Sequence, residues 1–374
     1  MPVKTQVYNK QNNINQYTLS NKSGNLVVKI IDYGATITHI LTPDKTGQTR
    51  DVVLGWDDLD GYFGERGRNP FFGAAIGRCG NRIIDGNFQL NGQTYLLALN
   101  NGPNALHGGI EGFDKKKWNL LKETDQSITL GLVSKDEEEG YPGQLAVEIT
   151  YSVTEDNELR LEYLAKLSDN QLIDTIVNLT NHSYFNLNGC TNDNELDVLN
   201  HKVLMKAQNY LEINDSFQPT GRILSTKTDT QVMDFATKDG EELHTIGERI
   251  NQVMPNGYDH CYVIETNEQN YNIKGNPLIQ ESVVVVNSPL TGITLTFSTT
   301  EPGFQFYTGN NVSSAQVTKT SQSLTPTTLK KNSGFCLEAQ RFPNAINENN
   351  WRKQVVLSPK QTYNQTTVYK FGLK

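Results

Sequence analysis

Hydrophobic residues along this chain alternate with polar ones far more often than they recur at a helical spacing. The clearest case runs from Gln144 to Val153 and from Leu159 to Leu167, on either side of Glu155-Asp156-Asn157. Val147, Ile149 and Tyr151 fall on one face of the first run, and Leu159, Leu161 and Tyr163 on one face of the second. A period of two predicts an antiparallel hairpin with one buried face. Asn25 to Ile31 and Ala35 to Leu41 predict another around Asp32-Tyr33-Gly34. Phe88 to Leu97 predicts a third, because Asn91-Gly92 at its centre is a strong turn signal. Asp51 to Trp56, Ser127 to Val133, Val203 to Ile213, Val283 to Val286 and Ile293 to Phe297 read as further strands. Thr366 to Phe371 reads as the strand that closes the sheet, and Asp57 to Phe63 as a brief helical or irregular excursion. No long stretch has helical period, no fixed repeat appears, and no Pro/Gly/Ser-rich linker divides the chain. The pattern predicts one all-β domain over residues 1–374, mostly antiparallel, a sandwich rather than a barrel.

Composition narrows the partners. The chain has 374 residues, enough to bury a sizeable core. Its 33 basic and 41 acidic residues give a formal net charge of −8, and no basic block stands out, which argues against nucleic acid. No apolar run approaches a membrane span, and none follows Met1-Pro2-Val3-Lys4-Thr5-Gln6 as a secretory signal would. Cys79, Cys190, Cys261 and Cys336 lie far apart with no C-x-x-C pair, which predicts free thiols in a reducing cytoplasm. With no apolar stripe evident on the surface, the expected state is a monomer.

Candidate chemistry gathers in a few polar stretches. Thr180-Asn181-His182-Ser183-Tyr184-Phe185-Asn186-Leu187 places a histidine among small hydrogen-bonding residues that could orient its ring, and beside aromatics that could exclude water. Leu106-His107-Gly108-Gly109, Tyr258-Asp259-His260 and Gly334-Phe335-Cys336-Leu337-Glu338-Ala339-Gln340 each join a titratable group to glycines or aromatics. Gly77 and Gly80 would hold Arg78, Asn81 and Arg82 at a strand end. His107, His182, Asp259 and His260 could form a metal site, but no two histidines have the tight spacing of a ligand pair, so no metal is expected. There is no G-x-S-x-G, no G-x-G-x-x-G and no P-loop, so neither a serine nucleophile nor a nucleotide cofactor is supported. A carboxylate and histidines without metal or cofactor suit general acid–base work. Glu338 interrupts an apolar run, where partial desolvation would raise its pKa; the bland alternative is a structural pair with Arg341. Asn, Gln, Arg, Asp and aromatic side chains nearby match what sugar hydroxyls need, forked hydrogen bonds and a flat apolar face.

At these residues the chain resembles the galactose mutarotase (aldose 1-epimerase) family. Gly77-Arg78 with Asn81-Arg82-Ile83, Leu106 to Gly109 with Gly112-Phe113-Asp114-Lys115 and Trp118, and Thr180 to Leu187 look like three of its sugar-binding segments. Tyr258-Asp259-His260, Gln305-Phe306-Tyr307-Thr308-Gly309-Asn310 and Leu337-Glu338-Ala339-Gln340 complete the set in order, so that the resemblance spans nearly the whole chain. It implies a β-supersandwich, interconversion of α and β anomers of D-galactose and D-glucose, and no cofactor. It implies that Glu338 is the general base toward the C1 hydroxyl and His182 the general acid toward the ring oxygen. His107 matches a histidine that binds and polarises the sugar, and Asn81, Arg82, Asp259 and Gln305 match hydroxyl-binding positions. The base must be ionised while the acid is protonated, which predicts a Glu338 pKa below that of His182. Two rivals remain: a hexose-6-phosphate 1-epimerase with Arg78 and Arg82 as phosphate ligands, and a non-catalytic sugar-binding module. Cys261 and Cys336 flank this machinery, which would expose it to oxidation unless the thiols are buried.

Overall fold

The period-two runs become strands, and their buried faces decide how the layers stack. The computed structural model describes residues 2–64, 69–236, 243–276, 278–323 and 325–374. The predicted central hairpin is Leu145–Val153 paired with Glu158–Leu167, in the register Tyr151↔Leu161 and Ile149↔Tyr163. It belongs to a nine-stranded antiparallel sheet whose order is Asn119–Glu123, Ser127–Ser134, Leu145–Val153, Glu158–Leu167, Tyr363–Leu373, Ile293–Thr299, Gln280–Asn287, Lys202–Met205 and His244–Thr245. Directly opposed residues share a face. Tyr151, Leu161 and Thr367 are opposed in turn, and Leu159, Tyr369 and Phe297 likewise, so all six point to one side.

That side carries two further sheets. Lys4–Asn9, Ile14–Ser20, Val27–Ile31, Thr36–Pro43 and Thr49–Asp51 form a five-stranded sheet at the N-terminal end. Tyr151 of the large sheet donates its hydroxyl to the Ala35 carbonyl there at 2.6 Å. Pro219–Ser225, Asn209–Ile213, Asp259–Val263, Gly303–Tyr307 and Cys336–Gln340 form the other five-stranded sheet. Tyr369 donates to the Leu337 carbonyl of that sheet at 2.8 Å, and Phe297 packs on Phe304 with ring centroids 5.4 Å apart. One hydrophobic cluster runs through all three sheets, from Leu19 and Ile30 through Ile149 and Leu161 to Phe304, Phe306 and Leu337. Each large aliphatic side chain buried in it contributes about 1.5–3 kcal/mol.

The pattern misplaced three elements. Val203 to Ile213 is not one strand: Lys202–Met205 joins the large sheet and Asn209–Ile213 the small one. Burial alternates from Val203 to Gln208 and then slips, with Gln208 and Asn209 both outside the core and Tyr210 and Leu211 both inside it, where the chain changes sheets. Of Asp51 to Trp56 only Asp51 lies in a strand; residues 52–56 run buried against the Tyr184-Phe185-Asn186 segment. Thr366 to Phe371 lies in the middle of the large sheet, between Glu158–Leu167 and Ile293–Thr299, rather than closing its edge. The excursion after Asp57 is a short helix, Leu59–Phe63, capped by Asp58 at one end and left-handed Gly64 at the other.

A long strap, residues 309–333, connects the strand Gly303–Tyr307 to Cys336–Gln340 and is tied to the N-terminal sheet. Lys319 is buried and pairs with buried Asp51 at 2.8 Å, while also donating to the Thr38 carbonyl. Ser321 donates to the same carboxylate at 2.5 Å, and Gln322 donates to the carbonyls of Asp51 and Val53. Removing one member of such a pair leaves the other charge stranded. Lys319→Met is expected to cost ~3–5 kcal/mol in urea unfolding. The double variant Lys319→Met with Asp51→Asn should cost less than the single one; equal or greater loss would mean the pair is not what anchors the strap.

Candidate active site

Three neighbouring strands build the floor of the site from a single face. In the register Asp259↔Tyr307↔Cys336 and Cys261↔Gln305↔Glu338, the side chains of Asp259, Gln305, Tyr307, Cys336, Glu338 and Gln340 all project to one side. The residues between them, Phe304, Phe306, Leu337 and Ala339, are buried on the other side in the core. His260 alternates with Asp259 and so stands on the core side, its Nδ1 accepting from the Asp259 backbone N–H at 3.2 Å. It is therefore removed from the metal set that the sequence had suggested.

Two loops supply the walls. His182 follows the short strand Thr180–Asn181, which pairs with Ala75–Ile76. His182 N–H donates to the Ala74 carbonyl at 2.9 Å, and its own carbonyl accepts from Gly73 N–H at 3.0 Å. Asn181 and Ser183 do not hold its ring, since Ser183 donates to Asn181 and Asn181 to the Gly73 carbonyl. The ring is instead stacked between Tyr184 (5.0 Å) and Phe71 (5.8 Å), with Cys336 Sγ 3.6 Å from Nδ1. Phe185 turns into the core beside Tyr369.

His107 comes from the second loop, just after Ala105–Leu106, which pairs with Arg82–Ile83. Its backbone N–H donates to the Asn81 carbonyl, and its Nδ1 accepts from the Asn81 backbone N–H at 3.3 Å. A neutral His107 thus carries its proton on Nε2. Gly108 has φ +87, and a Cβ there would lie 1.8 Å from the Gly77 carbonyl oxygen, so this close crossing of two loops requires glycine. Phe71, Asn81 and His107 all have positive φ (66, 59 and 52), a strained backbone concentrated where the loops meet.

Together these groups line a cavity of about 340 Å³. Its lining includes Phe71, Asn81, Arg82, His107, His182, Asp259, Gln305, Tyr307 and Glu338, with Asn311 and Gln316 from the strap. All seven residues singled out by the sequence as site residues are therefore brought together. His182 Nε2 is 3.6 Å from Glu338 Oε1, whose partner oxygen Oε2 is buried without a hydrogen bond. A polar chain runs beside them: Gln340 donates to Gln305 at 3.2 Å, Gln305 to Asp259 at 2.6 Å, and Arg82 approaches Asp259 at 3.9 Å. Arg82 is also fixed by Asn101 at 3.1 Å and lies over the Phe217 ring. Glu338 does not pair with Arg341, which is buried against Glu301 at 2.6 Å.

Burial pushes Glu338 well above the usual carboxylate range, helped by Asp259 and opposed by Arg82. Burial also pulls His182 down to about 4. This reverses the expected order, in which Glu338 would be the stronger acid. A low-dielectric cavity penalises the charged form of each group, so its preferred state is a protonated Glu338 beside a neutral His182. The ionised pair holds the same number of protons, differently placed.

Ligand atoms of His107, His182 and Glu338 lie within 4.8 Å of one another, a combination with metal-site residue types. The Nε2 proton of a neutral His107 makes that nitrogen a donor rather than a metal ligand. Sequence reasoning missed Phe71, which sits 4.8 Å from His107 and stacks on His182, because it looks like one more residue of an apolar run. It also missed Asn101 and the strap residues, whose polar character has no distinguishing spacing.

Arg78, a proposed phosphate ligand, is instead buried beneath neighbouring loops. It donates to the carbonyls of Lys135, Pro142 and Gly143 at 2.8–2.9 Å and to the Ser134 hydroxyl at 2.6 Å. The phosphosugar alternative loses one of its two cations. Arg78→Met should lower the free energy of urea unfolding by ~1–3 kcal/mol, the cost of one stranded acceptor; an unchanged free energy would show that these bonds do not hold the loops.

The chain is similar to known proteins over nearly its whole length. The family model for aldose 1-epimerase matches residues 15–370. Galactose mutarotase of Bos taurus is 38% identical over 352 residues, covering 94% of this chain and 93% of its own. Aldose 1-epimerase of Escherichia coli (strain K12) is 30% identical, covering 95% and 94%. Among solved structures, an aldose epimerase homologue from C. elegans superposes with a TM-score of 0.79 at 27% identity, covering 95% of this chain and 98% of its own.

Proposed function

The chain belongs to the aldose 1-epimerase family, and we propose that it interconverts the α and β anomers of D-galactose and D-glucose through Glu338 and His182. The observation that supports these roles is the buried pair itself, 3.6 Å apart, with Glu338 Oε2 unpartnered at the cavity. In this reading Glu338 takes the proton of the C1 hydroxyl as the bond from C1 to the ring oxygen breaks. The bonding electrons go to the ring oxygen, which receives the Nε2 proton of His182. The products are a neutral Glu338, a neutral His182 and an open-chain aldehyde. Rotation about C1–C2 and the reverse transfers close the ring on the other face.

The protonation preference described above gains a meaning here. Ring opening starts from a carboxylate and an imidazolium and ends with both neutral. A dry cavity disfavours the first state and favours the second, so burial drives the transfers in the direction that opens the ring. Sugar hydroxyls donating to Glu338 Oε2 would stabilise the carboxylate needed at the start. His107 Nε2–H, Arg82, Asn81, Asp259 and Gln305 supply the donors and acceptors that hold the remaining hydroxyls, and Phe71 and Tyr184 exclude water.

The finer attributes belong to the same reading. Residues 1–374 act as one domain, since one hydrophobic cluster joins all three sheets. The four cysteines are free and buried, which suits a cytoplasmic protein. We expect a monomer whose partner is the sugar and not nucleic acid, to be checked by sedimentation with and without DNA. Among the described residues no helix is long and apolar enough to cross a membrane.

Optical rotation of freshly dissolved α-galactose and α-glucose tests the reaction. Relaxation to the anomeric equilibrium should be accelerated, and Glu338→Gln and His182→Asn should each lose roughly 10²–10⁴-fold in rate. A full rate in Glu338→Gln would remove that residue from its role. The rate should also be bell-shaped in pH, because the active pair holds one shared proton. A second proton, taken by His182 at about 4, ends activity on the acid side; loss of the first, held by Glu338 with its raised pKa, ends it on the alkaline side. A flat profile on either side would count against the pair.

A further inference from the structure

His182 has two ring nitrogens, and the reaction accounts for one. Nε2 faces Glu338 Oε1 and the cavity. Nδ1 faces Cys336 Sγ at 3.6 Å, within reach of a sulfur hydrogen bond. The ring cannot easily exchange them, because Phe71 and Tyr184 stack on it. Cys336 is itself fixed, two residues before Glu338 on the same face of the same strand and opposite Tyr307.

We propose that Cys336 is a positioning residue for the anomerisation, its sulfur accepting a hydrogen bond from His182 Nδ1–H and so keeping the mobile proton on Nε2. This rests on His182 as the proton donor. An imidazolium carries hydrogen on both nitrogens, so Nδ1–H needs an acceptor, and Sγ is the side-chain atom placed for it, beside the backbone carbonyl of His182 itself. When Nε2 has given its proton to the ring oxygen, the neutral ring still holds hydrogen on Nδ1, and the same bond persists. Nε2 is then left with a free lone pair, ready to take the proton back as the ring closes. Without a partner on Nδ1, the neutral ring could shift its hydrogen to the other nitrogen and lose the ability to act as base at the required atom.

The role is that of the buried carboxylate behind many catalytic histidines, but without its charge. Burial holds the Cys336 thiol well above its usual range, so it stays a neutral acceptor. A neutral sulfur orients the ring without stabilising the imidazolium, which keeps His182 a strong acid. The charged and titratable groups that face this pair are Glu338 on the same strand, Asp259 two strands away, Arg82 and His107 from the adjoining loops, and the Tyr184 and Tyr307 rings. Among these only Sγ meets Nδ1.

The test reads the nitrogen directly. In the unmodified protein labelled with ¹⁵N-histidine, Nδ1 of neutral His182 should show the shift and coupling of a protonated nitrogen; an unprotonated Nδ1 would overturn the proposal. Cys336→Ala should lower kcat for α-galactose by roughly 10–100-fold with KM about unchanged, and Cys336→Ser, which keeps an acceptor, should recover most of it. Unchanged kcat in a folded Cys336→Ala would equally overturn it. If the alanine variant does not fold, the nitrogen signal and the serine variant decide. Loss of mutarotation in every form, the unmodified protein included, would strike the functional reading instead and leave the nitrogen signal to judge the geometry.

Discussion

A strand has two faces, and in Asp259–Val263, Gly303–Tyr307 and Cys336–Gln340 one of them is already committed. Phe304, Phe306, Leu337 and Ala339 are held against the large sheet by the same burial that stabilises the whole molecule. With the period fixed at two, the intervening residues have no choice of direction. Asp259, Gln305, Glu338 and Gln340 are thus aimed into the cavity by the core behind them rather than by the loops around them. The loops then need only close over a prepared floor. The positive-φ strain sits in those loops, at Phe71, Asn81 and His107, and not in the strands of the floor.

The same burial sets the electrostatics. A sheet face solvated in the ordinary way would leave Glu338 ionised and His182 close to neutral pH. Enclosed by Phe71, Tyr184 and Tyr307, both groups resist charge. The polar chain from Gln340 through Gln305 to Asp259 stays hydrogen-bonded, whereas Glu338 Oε2 does not. Two buried oxygens among the described residues of this region, Glu338 Oε2 and Gln340 Oε1, are left without a hydrogen bond, and an unpaired buried oxygen lining a cavity calls for an explanation.

Much of this was legible in the sequence. Alternation marked the central hairpin almost to the residue, and a carboxylate set into the run Phe335-Cys336-Leu337 was enough to single out Glu338. The motifs around His107 and His182 located their loops, and the one around Asp259 its strand. What alternation cannot report is the identity of the partner. Lys202–Met205 and Asn209–Ile213 follow each other within one β-rich run and lie in different sheets. Nor does a motif say which way a side chain turns. Arg78 and Arg82 stand four residues apart around the same glycines, yet one is clamped under loops and the other faces the cavity. His260 and Asp259 are neighbours with opposite faces. The order of the two pKa values was misread for a related reason, since depth of burial has no signature in local composition.

The place of Tyr363–Leu373 has a consequence for how the molecule comes into being. This strand bridges the two halves of the large sheet, Glu158–Leu167 on one side and Ile293–Thr299 on the other, and it follows both in the chain. A growing polypeptide that has reached residue 360 therefore holds every other strand of that sheet and nothing to join the halves. Each half presents an open, hydrogen-bonding edge to its surroundings until the bridging segment leaves the ribosome. The Tyr369 hydroxyl that ties the site-bearing sheet at Leu337 arrives with it. The sheet that floors the cavity thus gains this tie after its own residues have been translated. In this window both unpaired edges are open to pairing with other chains.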